Sequence, residues 1–162
     1  MAGGLTLEKE NVELFRKKIN MQAALTDEDF IPKITIDVPM PIHYITEKLI
    51  GELELLEPFG KGNTKPVFAE KGLTVIGARI LGKNRNVLKF QVLNQSGTAM
   101  DAMYFGDVNK MLDYLSEKFG PGEVQKMLQQ RENNISMSVT YYPSVNEFRD
   151  KRSIQIVIQN YQ

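Results

Sequence analysis

The chain predicts a five-stranded β-barrel of the α+β class, with helical and strand-like segments ahead of it. Three observations carry this expectation. Beyond Gly72 the spacing of apolar residues shortens from about 3.6 to about 2, the change from helical to strand periodicity. Five strand-like runs follow, separated by turn-forming residues, and one helical stretch falls between the third and fourth runs.

The composition is ordinary for a globular protein. The chain has 162 residues, 42% hydrophobic and 25% charged, enough for one full core with an extension. It contains no apolar run of about 18 residues and no basic-then-apolar leader, so neither a membrane span nor a signal peptide is expected. The absence of cysteine excludes a disulfide framework and a thiolate metal site, and cytoplasmic residence is the simplest expectation. Twenty basic residues balance twenty acidic ones, so any nucleic-acid site must come from local clustering of Lys and Arg.

From the N-terminus, Val12, Leu14, Phe15, Ile19 and Ala23 lie near helical spacing within residues 7–25, with Thr6 available as a cap. Asp27, Glu28 and Asp29 make a polar break that reads as a solvated loop. Ile34, Ile36 and Val38 alternate with Lys33, Thr35 and Asp37, as in a half-buried strand that Pro39 and Pro41 stop. Ile45, Leu49, Ile50, Leu53 and Leu56 recur at three and four and predict a second helix ending at Pro58. The expected domains are therefore 1–70, helices and connector, and 71–162, the barrel.

The five barrel strands are read at 73–81, 87–93, 98–105, 135–142 and 153–159. Helical stretches lie at 108–115, between the third and fourth strands, and at 124–128 after Gly120-Pro121-Gly122. Five short strands with a helix between the third and fourth is the connectivity of an OB barrel.

The most informative segment runs from Leu55 to Phe68, Leu-Leu-Glu-Pro-Phe-Gly-Lys-Gly-Asn-Thr-Lys-Pro-Val-Phe. Its glycines could expose amides to a phosphate, with Lys61 and Lys65 adding charge. Taken alone, the residues favour a helix-to-strand connector with Phe59 and Phe68 as buried anchors. This segment resembles the Leu-Glu-Pro-Phe-Gly-x-Gly-Asn signature that follows the DHHA1 domain in bacterial RecJ exonucleases. Family members usually carry proline directly after the asparagine, where this chain has Thr64 and delays the proline to Pro66. Residues 2–7 resemble the end of the DHHA1 domain without its histidine. Residues 101–106 and 151–156 resemble the family's third and last barrel strands.

The resemblance implies a parent enzyme that degrades single-stranded DNA from its 5′ end in repair and recombination. Its upstream DHH domain would hold divalent Mn or Mg to activate water. This chain has a single histidine, His43, best read as a packed or solvated turn residue, and no Asp and His cluster at ligand spacing. Neither catalytic nor metal-binding residues are expected in it, and no cofactor of its own.

A single-strand-binding barrel uses basic residues for phosphates and aromatic faces for bases. The candidates are Arg79, Lys83, Arg85 and Lys89 at the first hairpin, and Arg149, Lys151 and Arg152 at the last. Tyr104, Tyr141, Tyr142 and Phe148 are possible stackers. Alternation places Lys89 on the solvent side of the second strand, puts Tyr141 in the core and leaves Tyr142 as the better stacker. The expected partners are single-stranded DNA and the upstream DHH domain. A docking platform for a single-strand-binding protein or another repair partner is the competing reading. A self-sufficient enzyme is disfavoured by the missing nucleophile and metal constellations.

Overall fold

A computed structural model describes residues 4–31, 33–148 and 151–162. The chain divides into two compact units, Met1–Ile34 and Thr35–Gln162.

The first unit contains a 3-10 turn at Lys9–Asn11, helix α1 at Val12–Gln22 and a second 3-10 turn at Asp27–Phe30. The residue preceding the first turn is Glu8, which makes no side-chain cap, so Thr6 is not the cap expected of it. No residue of α1 is buried. The polar break is a tight turn in which Asp29 Oδ2 accepts hydrogen bonds from Thr26 N at 2.8 Å and Thr26 Oγ1 at 3.0 Å. The backbone bond from Thr26, more than the hydroxyl, holds the Asp29 carboxyl below its usual range.

The second unit is the barrel with its N-terminal cover. Strand β1 (Val38–Pro39) pairs in parallel with the start of β2 (Phe68–Leu81). The strand expected at Ile34–Val38 is reduced to this two-residue bridge, and it includes the proline that was to end it. Pro39 is tolerated because β1 lies at an edge, where a missing N–H need not break a ladder. A 3-10 turn at Ile42–Tyr44 leads to α2 (Glu47–Glu54), whose first turn is capped by Thr46 Oγ1 accepting from Leu49 N at 3.1 Å. Ile42, Ile45, Ile50 and Leu53 are buried, so this segment belongs to the barrel's own core.

The barrel strands are β2, β3 (Val87–Leu93), β4 (Ala99–Tyr104), β5 (Ser136–Phe148) and β6 (Lys151–Tyr161). Their order is β2-β3-β4-β6-β5, and β2 pairs with β5 to close the barrel. Pairing is antiparallel except for β4 with β6. The first barrel strand starts at Phe68, ahead of Gly72, which occupies a register shift against β5. Helices α3 (Val108–Phe119) and α4 (Pro121–Leu128) lie between β4 and β5, where the helical spacing places them. Asp107 Oδ1 caps α3 by accepting from Lys110 N, and Pro121 opens α4, where its missing N–H costs nothing.

The interior is filled by alternating residues: Leu73 and Val75 from β2, Leu88, Phe90 and Val92 from β3, Ala102 from β4, and Met137, Val139 and Tyr141 from β5. Met111, Leu115 and Met127 add the helical contribution. Tyr141 is wholly buried, as its parity requires, and its hydroxyl donates to Met40 O at 2.6 Å. Burial, reinforced by the Glu70 carboxylate, pushes the phenol pKa well above that of a free tyrosine.

The Leu55–Phe68 segment closes on itself. Asn63 Nδ2 donates to Leu56 O at 2.8 Å and Pro58 O at 3.0 Å, while Gly60 and Asn63 exchange backbone bonds. The side chain of Asn63 thus satisfies two carbonyls beyond the end of α2 and locks the turn. Phe68 is buried as expected, but Phe59 is only half-buried, set edge-on to Tyr142 with ring centroids 6.3 Å apart. It shields the outside of the barrel wall, where a ring can be covered on one side only.

Candidate nucleic-acid interface

Two hairpins end at opposite ends of β4. Leu88 of β3 pairs with Tyr104, so the β2–β3 turn lies at the C-terminal end of β4. Asp101 pairs in parallel with Gln155 of β6, so the β5–β6 hairpin lies beyond its N-terminal end. The outer face of β2, β3 and β4 between them holds a groove of about 500 Å³, lined in part by Ile76, Arg79, Leu81, Lys89, Gln91 and Asp101.

Arg79 and Lys89 are direct cross-strand partners, both facing out. Arg79 Nη2 donates to Gln130 Oε1 at 2.8 Å. Gln130 reaches it because Gly77 has no side chain: a Cβ there would come within 3.1 Å of Gln130 Cγ. The end of α4 therefore rests on β2 and orients the guanidinium. Lys89 is on the solvent side, as alternation predicts, but its ammonium lies 2.7 Å from the Asp101 carboxylate on β4. The register explains this: Gln91 is opposite Asp101, which puts Lys89 on the diagonal, within reach of a long side chain. The groove floor thus carries two cations and one anion.

Lys83 and Arg85 occupy the β2–β3 turn, both exposed. Among the described residues neither is in an ion pair. Arg85 has φ +54° and donates its backbone N–H to Gly82 O at 3.0 Å, so the turn has a defined shape.

The opposite hairpin differs. Arg152 Nε lies 2.8 Å from Glu147 Oε1, and its guanidinium is 3.9 Å from Glu47 of α2. Lys151 is exposed beside it. Arg149 lies outside the described residues, as does the side chain of Phe148.

Four expected contacts lie outside this groove. Tyr142 has the outward parity expected of it, yet it is buried, because α2 and the connector cover that part of the wall. Lys65 Nζ lies 3.7 Å from its ring centroid, and Phe59 and Phe68 flank it. Its stacking face is already occupied. Burial raises the Tyr142 phenol pKa, with Glu57 and then Glu54 adding to the shift. Lys65 is exposed over Tyr142, and Lys61 is exposed on the self-closed turn; neither belongs to the groove lining. A second groove of about 440 Å³ runs beside them, lined by Ile50, Glu54, Glu57, Lys65, Tyr142 and Arg152 among others. Tyr104 points inward, edge-on to Tyr161 with centroids 5.6 Å apart.

An exposed aromatic beside the β2–β3 turn was not among the candidates read from the sequence. Phe105, just past the end of β4, is 60% exposed. Its parity with Asp101 and Met103 was the signal that could have found it. His43 lies in the 3-10 turn before α2, and its Nδ1 accepts from Asn94 Nδ2 at 3.1 Å. That assignment follows because Asn94 Oδ1 is committed to Ser96 N and Thr98 N. Among the described residues, no group of three His, Cys, Asp or Glu side chains is placed to hold a metal ion. Nor is any helix among them long and apolar enough to cross a membrane.

A family model described as the RecJ OB domain matches residues 36–160. The single-stranded-DNA-specific exonuclease RecJ of Bacillus subtilis strain 168 is 30% identical over 162 residues, which cover 99% of this chain and 18% of that protein. Two crystal structures of RecJ from Thermus thermophilus, one with Mg2+ and one with Mn2+, superpose with a TM-score of 0.58 at 17% identity. The match covers 96% of this chain and 21% and 20% of those chains, and it shows the same fold. The chain spans about a fifth of the length of these relatives.

Proposed function

The chain belongs to the RecJ OB domain family, and on that premise we propose that it binds single-stranded DNA, without cutting it, across the outer groove of β2, β3 and β4. The observation that carries the reading is the pair of exposed cations Lys83 and Arg85 on a shaped turn that joins β2 and β3, the strands whose Arg79 and Lys89 line the groove. Cations placed along a strand displace condensed counterions from its phosphates, which is the main source of sequence-independent affinity. OB folds bind oligonucleotides on this face, between the loops that bracket it.

In the longer protein this module holds and guides the strand for a RecJ-like 5′-to-3′ exonuclease acting in repair and recombination. The Mn or Mg needed for hydrolysis would be held by an upstream DHH domain, as the family resemblance implies. Salt-dependent fluorescence anisotropy with labelled oligonucleotides is the test. Single strands are expected to bind in preference to duplex, and log K to fall linearly with log salt by about 0.7 per phosphate contacted. Base composition should matter little. Preference for duplex, or affinity indifferent to salt, would sink the reading.

A docking platform for a single-strand-binding or other repair protein is the second reading, and the groove beside α2 favours it. Three carboxylates, Glu54, Glu57 and Glu147, line that groove with Lys65 and Arg152. A peptide ligand that binds with unchanged affinity when the β2–β3 turn is altered would support it.

A further inference from the structure

Phe105 is an exposed ring on a stretch of backbone whose flanking residues are held in place. Tyr104 before it is turned inward onto Tyr161, and its ring lies against Gly106, where any side chain would collide with it. Asp107 after it is fixed as the cap of α3. With both neighbours committed, Phe105 continues the outward row of Asp101 and Met103 one step beyond the last β3–β4 pair.

Its surroundings are apolar at the wall and cationic at the tip. Leu81 pairs with Val87, and Val87 precedes Leu88, the partner of Tyr104. Phe105 is therefore about two strand spacings, roughly 10 Å, from Leu81. Leu81 is 37% exposed, so the two form an open apolar strip at the base of the turn carrying Lys83 and Arg85. An exposed ring near cations that are outside any ion pair among the described residues matches one ligand class: a planar nucleobase whose phosphates the cations hold.

We propose that Phe105 is a base-stacking platform at the mouth of the groove, receiving an unpaired base while Lys83 and Arg85 hold the adjoining phosphates. The inference rests on the single-strand-binding reading and adds a stacking contribution that salt does not weaken. It also explains a preference for single strands, because a paired base cannot offer its face to the ring.

Two oligonucleotides of equal charge separate stacking from phosphate binding: an ordinary single strand and one with an abasic tract. Phe105→Ala should weaken binding of the ordinary strand by about tenfold or more, the range of one base stacked on an aromatic side chain. It should leave the abasic strand and the salt slope unchanged. Phe105→Trp should retain affinity and, because the chain has no tryptophan, provide a single emission that the bound base quenches. Equal loss on both oligonucleotides, or no loss on either with unquenched Trp emission, overturns the platform while leaving single-strand binding standing. A wild-type chain that binds neither oligonucleotide overturns both proposals.

Discussion

In the β2–β3 turn, Lys83 and Arg85 stand exposed and outside any ion pair among the described residues. At the β5–β6 hairpin, Arg152 is held between Glu147 of its own hairpin and Glu47 of α2. The two hairpins bracket the same face and both carry basic residues, but a cation already facing carboxylates offers little to a phosphate. The difference teaches that basic residues near a groove are not interchangeable evidence for a binding site. What counts is the charge left over after the protein has satisfied itself. The floor shows the intermediate case, with Arg79 oriented by the neutral Gln130 and Lys89 facing Asp101.

The comparison breaks most readily at the turns. Changing Lys83 and Arg85 together to alanine should lower the salt slope for single strands by about 1.4, two phosphate contacts at about 0.7 each. Changing Arg152 to alanine should leave the slope unchanged. A slope that also falls, by about 0.7, on changing Arg152 would show that both walls contact phosphate.

Freeing the paired lysine sharpens the same point. Asp101→Asn removes the carboxylate facing Lys89 and should raise the salt slope by at most about 0.7. A slope that does not move would place Lys89 off the path of the strand.

The smallest effect concerns stability on the side of the β5–β6 hairpin. Arg152→Ala should cost at most about 1 kcal/mol in urea unfolding, because its ion pairs are exposed. Beside it, Tyr142 has a phenol pKa raised by burial and by Glu57 and Glu54. The folded state therefore holds this proton more tightly than the unfolded chain. Its contribution is fully present below the ordinary tyrosine value of 10.0 and is lost as pH rises above it. Stability should decline above pH 10 less steeply in Tyr142→Phe than in the wild type. Parallel declines would mean that other groups govern the alkaline limb.

The barrel was legible in the sequence because its signals are local. Alternation along each strand sorts inside from outside, so the five strands, the intervening helices, the buried Tyr141 and the outward Lys89 could be read from residues a few positions apart. The connector was legible as a joint for the same reason, although its lock, Asn63 on Leu56 and Pro58 carbonyls, required the folded turn.

Which outward residues remain open depends on packing between segments distant in sequence. Parity told that Tyr142 faces out, but α2 and the connector, distant in sequence, cover it and place Lys65 on its ring. Arg152 meets Glu47 across more than half the chain, and Lys89 meets Asp101 through the β3–β4 register. Phe105, by contrast, stays uncovered because nothing in the described chain packs over the end of β4 at that point. Inside against outside is a property of one strand's period, whereas open against covered and charged against neutralised depend on what the rest of the chain brings to the same place.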